Sequence, residues 1–323
     1  MRRSWMWVAA FAACVVSSAA LAQSWPTKRV TVVVPFTAGS STDIMARTVT
    51  QRLSEQLGQP FVVENRPGAG GTLGVGAVAK ADPDGHTILV HSSSYTITPT
   101  TYPNTPYDTV RDLVGITPLA LLPQVLVISP NKNIRTVQDL VRAAKAKPGA
   151  MNYASAGVGT ATQLNAERFR LGAGIEAVHV PFRGTPEALT EIMTGRVEYY
   201  FCPVNAVLPM IAEKQLLGLA MGSSKRSAAL PDLQTTLEAG VPNSDYNFWV
   251  GMFVPSKTPR EIVNRLQQEV AKALEVKEVR ESMAKLGAEP MLMRPDEFDT
   301  YIRNEITTNA TLVKAAGIPI TGQ

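Results

Sequence analysis

The chain has 323 residues, of which 45% are hydrophobic and 18% charged, and its formal net charge is +4. That composition excludes a disordered chain, and the length exceeds what one core usually holds, so two domains are expected. The charge is too balanced to point to nucleic acid or an anionic membrane as partner.

The N-terminus reads as an export signal. Arg2 and Arg3 precede an apolar run over residues 5–16, and Ala20-Leu21-Ala22 forms an A-x-A cleavage pattern before Gln23. The run is too short to span a membrane. Cys14 lies inside it, with Phe11 three residues before, which does not fit a lipoprotein signal. Cleavage after Ala22 places the mature chain in the periplasm. It also leaves Cys202 as the single cysteine, so no internal disulfide forms and stability rests on the core. Cys202 follows Tyr199, Tyr200 and Phe201 and is read as a core residue.

Strands and helices then alternate. Residues 30–34, VTVVV, read as a buried strand that Pro35 stops. Gly39 permits a sharp turn, and Ser40, Ser41 and Thr42 are good N-caps for a helix over 42–57. A strand end, a tight polar loop and a helix start together make an anion site without any cationic side chain. A strand over 61–63 leads into a glycine-rich loop over 64–71 and a helix over 72–81. A strand over 87–91 ends in a hydroxyl-rich loop, Ser92, Ser93, Ser94 and Tyr95. A β-rich stretch over 114–129 is interrupted by Pro118 and Pro123. A helix over 136–147 and a strand over 151–155 follow.

A second small-residue loop, residues 155–163, again joins a strand to a helix, here reaching about residue 171. Further strands are expected at 177–180, 197–201, 216–222 and 246–255. Helices are expected near 185, with Pro186 in the first turn, and at 203–214. A loop with a short helix covers 230–240. Helices over 259–274, 279–286 and 295–316 close the chain. The order predicts an α/β protein of two lobes, residues 23–124 with 250–323 and residues 125–249. A ligand cleft between them would bring the two small-residue loops face to face.

Blocks spread over nearly the whole mature chain carry a family resemblance. They include Val33-Val34-Pro35-Phe36-x-x-Gly39, Asp43, Ala46-Arg47, Val63-Glu64-Asn65-Arg66-Pro67-Gly68-Ala69-Gly70-Gly71, Pro83-Asp84-Gly85-x-Thr87, Gly157-x-Gly159-Thr160, Val180-Pro181-Phe182-x-Gly184, Leu230-Pro231-Asp232 and Trp249-x-Gly251. The pattern resembles the substrate-binding proteins of tripartite tricarboxylate transporters, the Bordetella uptake gene family. The resemblance implies a two-lobed periplasmic binding protein-like fold that closes on a small carboxylate and delivers it to membrane permease subunits. It implies a monomer and no cofactor.

Carried over residue by residue, the family's site falls on Phe36, Gly39, Ser40, Ser41, Thr42 and Asp43 in one lobe. In the other it falls on Ala156, Gly157, Gly159 and Thr160. Asn65, Ser93, Phe182 and Asn205 join from neighbouring loops. The chain departs from the pattern at Thr37-Ala38-Gly39-Ser40-Ser41, which is richer in hydroxyls, and at Gln163, where the family commonly has histidine. Asp43 is negative and cannot meet a carboxylate directly, so it is read first as a residue that caps amides or holds the loop. Arg183 could face a distal carboxylate or simply solvent.

Catalysis is disfavoured. His86 and His91 flank one strand as a poor metal pair, and neither a G-x-S-x-G elbow nor a phosphate-binding P-loop occurs. The alternatives to uptake are a receptor that presents its ligand to a membrane sensor kinase and, in a different class, an exported hydrolase.

Overall fold

A computed structural model describes residues 25–321. The export signal, with its cleavage site and Cys14, lies outside the described residues. The first sheet is built from β1 (Val30–Val34), β2 (Phe61–Asn65), β3 (Thr87–Ser92), β4 (Leu113–Leu121) and two later strands. The second holds β5 (Gln124–Ile128), β6 (Met151–Ser155), β7 (Ala177–Pro181), β8 (Tyr199–Pro203) and β9 (Leu217–Met221). The chain then returns through β10 (Trp249–Pro255) and the two-residue β11 (Glu289–Pro290). Strand order is β11-β4-β10-β3-β1-β2 in one sheet and β7-β6-β8-β5-β9 in the other.

The valine run of β1 is buried on both faces because helices cover both. It pairs in parallel with β2 and β3, Val32 opposite Val63 and Ile88. Val30, Val32 and Val34 pack with α1 (Ser41–Leu57) and α8 (Arg260–Glu275) through Met45, Val49, Leu53, Val263 and Leu266. Val33 faces the other way, towards α2 (Thr72–Ala79) and α10 (Pro295–Ala316). Alternation along one strand thus seats two helix layers. In the second lobe α4 (Val137–Ala146) and α5 (Ala161–Ala173) cover one face, and α6 (Thr185–Met193) and α7 (Val204–Ala212) the other. Cys202 is buried there, between α6 and α7. The remaining helices are α3 (Thr98–Thr101) and α9 (Lys277–Lys285).

The two crossings between lobes lie side by side. Leu122 N–H donates to Phe248 O (2.8 Å), and Gly222 N–H to Gln124 O (2.7 Å). Three of the departures from the sequence reading have a local cause. Pro118 does not interrupt β4, because a bulge against β10 between Val250 and Gly251 removes the need for its missing amide. Residues 230–240 form turns instead of a short helix. β8 begins two residues late, because the Arg196 and Val197 amides donate back to Glu191 O in α6.

Phe298 anchors α10 to the first sheet. It sits over Gly115 and Gly251, where a Cβ would lie 2.7 and 2.6 Å from its ring, and packs edge-on to Trp249 at 5.3 Å. Phe298→Ala should lower stability by about 3–5 kcal/mol, the usual cost of deleting a buried ring. Urea unfolding measures this; a loss below about 1 kcal/mol would remove α10 from the first-lobe core.

Candidate functional site

Pro35 ends β1, and the chain turns through Gly39, whose φ of +78° is left-handed. Ser40 then caps α1, its Oγ accepting the Asp43 N–H. Asp43 is 2% exposed. Its carboxylate accepts the Gly39 N–H (3.0 Å), Arg47 Nε–H (3.1 Å) and Asn65 Nδ2–H (2.9 Å). Burial alone would raise its pKa, but those hydrogen bonds and the Arg47 charge outweigh burial and hold it below the usual carboxylate range. Asp43 and Asn65 therefore fix the loop from behind. With the Gly39 and Asp43 amides taken, α1 offers the first-turn amides and hydroxyls of Ser41 and Thr42. Ser41 Oγ is buried without a partner.

The second loop repeats this plan. Gly159, at φ +72°, donates its N–H to Gln163 Oε1 (2.8 Å), four residues on, as Gly39 does to Asp43. The Gln163 amide nitrogen contacts His179 Nδ1 (3.1 Å). An amide NH2 can only donate, so the imidazole proton sits on Nε2 and reaches Ser155 Oγ (2.6 Å). Ser155 Oγ also accepts the Gly157 N–H (3.0 Å). Burial pushes the His179 pKa down to about 4, which keeps the ring neutral as this relay requires. Gln163 is thus a buttress of the loop.

Between the loops lies a small, partly open space. Phe36, Ser40, Ser41, Thr42, Ser92, Ser94 and Phe248 line it from the first lobe and the return crossing. Ala156, Thr160, Thr162, Thr185 and Pro203 line it from the second. Eight of these twelve carry hydroxyls and none is charged. Four helix starts converge here. Ser40 is the N-cap of α1, Thr160 of α5 and Pro203 of α7, and Thr185 is the first residue of α6. Each start carries about half a positive charge, so the wall presents about two in all. The arrangement can hold an anion by dipoles and hydroxyls; it has no nucleophile–base pair facing the space.

Of the residues expected from sequence, Phe36, Ser40, Ser41, Thr42, Ala156 and Thr160 line the cavity. Gly39, Asp43, Asn65, Gly157 and Gly159 shape or brace the loops. Ser93, Phe182 and Asn205 are also outside the lining. Phe182 packs on the second-lobe core. Asn205, in the first turn of α7, is 5% exposed with both amide atoms unpartnered. Arg183 is exposed. Ser92 and Ser94, read in sequence as part of a hydroxyl-rich loop that serves either ligand or its own turn, also line the cavity, whereas Thr162, Thr185, Pro203 and Phe248 were passed over. All but Phe248 sit at a strand end or helix start, which was the available signal.

The model of the tripartite tricarboxylate transporter family receptors (TctC) matches residues 45–318. The chain belongs to this family. Its members are periplasmic solute-binding receptors, and this TctC receptor shares their fold. It is 34% identical to BugT of Bordetella pertussis over 298 residues, 92% of this chain and 91% of BugT. An R. palustris protein solved with adipate superposes with a TM-score of 0.88 at 32% identity, covering 91% of this chain and 99% of that one. MatC of Rhodopseudomonas palustris with bound malate gives 0.83 at 30% identity, covering 90% and 100%.

His91, wholly buried beside Phe36, has its pKa pushed down to about 4 by burial, like His179. Unfolded histidines take up protons below about 6.5, the folded rings only below about 4. The unfolded state therefore binds more protons in that window, and stability falls as pH drops through it. Thermal unfolding should show a midpoint steady above pH 6.5 and falling towards pH 4. A midpoint unchanged over that range would contradict neutral burial of the two rings.

Proposed function

We propose that this TctC receptor captures a small dicarboxylate between its lobes in the periplasm, after export and cleavage behind Ala22, and delivers it to the membrane permease of a tripartite tricarboxylate transporter. The observation that carries the reading is the convergence of four helix starts on a hydroxyl-lined space free of charged side chains. The relatives with adipate and malate support a ligand with two acid groups. One carboxylate sits between the starts of α1 and α5, on Ser41, Thr42 and Thr160. The other faces Thr185 at the start of α6 and the start of α7 behind Pro203. Of the two expected lobes, the described residues 25–124 with 250–321 move as one body and 125–249 as the other, bending at the paired crossings.

Calorimetry with adipate and malate should show saturable one-to-one binding of at least one, with the acid recovered unchanged. Affinity should fall as pH drops through the ligand's own carboxyl pKa, because the neutral acid loses its attraction to the dipoles. Ser41→Ala should weaken binding about tenfold, the worth of one hydrogen bond to a charged group. No binding of any dicarboxylate from succinate to adipate, or conversion of the acid, would overturn the reading.

A further inference from the structure

We propose that Ser94 sets how far the lobes rest closed before any ligand arrives, because its hydroxyl caps α5 from across the cleft. α5 lacks a side-chain cap of its own. Thr160, at the N-cap position, donates its hydroxyl to Gly157 O (2.7 Å) and pairs with Thr162 Oγ1 (3.1 Å). The amide of Ala161, the first residue of α5, instead donates to Ser94 Oγ at 2.9 Å in a fully buried bond. The two residues belong to different lobes and lie 67 positions apart in the chain. The bond therefore exists only while the lobes are together.

Ser94 is rigidly part of the first lobe. It lies in the 3-10 turn Ser93–Thr96, whose last residue accepts Asn309 Nδ2–H (2.8 Å) from α10. Ser92 Oγ donates to Ser94 Oγ (3.0 Å) and accepts the Ser94 N–H (3.4 Å). With Ser92 and Ala161 both donating to it, Ser94 Oγ has its lone pairs filled and its own proton left for the cavity it lines. The neighbouring seam allows this approach because it lacks side chains. A Cβ on Gly159 would strike Thr101 Oγ1, one on Gly184 would strike Thr37 Oγ1, and one on Gly70 would lie 2.6 Å from Val158 O.

Opening returns the Ala161 amide to water, so the bond shifts the closed-to-open ratio by a modest factor of about five, that of one neutral hydrogen bond. Apparent affinity follows that ratio for any ligand, since only the closed population is competent to hold it.

The test uses the ligand-free mature protein, so it stands apart from the carboxylate reading. Ser94→Ala removes the acceptor. Ala161→Pro removes the donor at a first-turn position that proline favours, after Thr160 in an extended conformation that proline tolerates. Small-angle X-ray scattering should give both variants the same larger radius of gyration, with the double variant no larger than either. Ser94→Thr, which keeps the hydroxyl, should match the wild type. Unchanged scattering for folded Ala161→Pro, or additive effects in the double variant, would overturn the proposal.

Discussion

An acid group leaving water needs compensation, and on the proposed reading peptide dipoles supply it in this receptor without a cationic side chain. The rest of the architecture follows from that requirement. A dipole acts only within the first turn of its helix and along its axis, so each helix start must be aimed at one point. Parallel strands followed by helices do this naturally, because every strand delivers its helix start to the same edge of the sheet. Two such sheets set edge to edge bring four starts together.

Fixed dipoles need fixed loops. Each loop is braced by a side chain one helical turn into its own helix, Asp43 for Gly39 and Gln163 for Gly159. Asp43 is the more demanding solution, since it places a negative charge behind an anion site. Arg47, reaching back from the next turn, balances that charge. Gln163 does the same work without charge and passes its restraint to His179 and Ser155.

The strand–turn–helix at residues 30–57 was readable because its signals are local: a valine run, a proline stop, a turn glycine and serine caps. The same signals made the Thr160 loop visible, and the family blocks supplied the two-lobed fold. What escaped depends on distant partners. The glycine amides look like anion donors in sequence, and only the folded loops show them bound to Asp43 and Gln163. Yet the spacing of four in both loops is a pattern the sequence does contain. Ser93 was chosen from a run of three serines whose neighbours, Ser92 and Ser94, face the cavity; a tight turn rotates each residue to a new side, which composition cannot resolve. Phe248 lies in the return crossing and carries no local mark at all. Pro118 read as a break because the bulge that accommodates it is a property of two strands together.

The paired crossings at Leu122 and Phe248 have a consequence for direction. Two chain segments tied by a hydrogen bond form a ribbon, and a ribbon resists shear and twist more than it resists flexing across its thin dimension. A joint of that kind favours a door-like swing of the two halves over sideways sliding. Cargo must enter and leave through the same mouth, on the side away from that axis. On the proposed delivery to a permease, that mouth is the side the receptor would turn to the membrane.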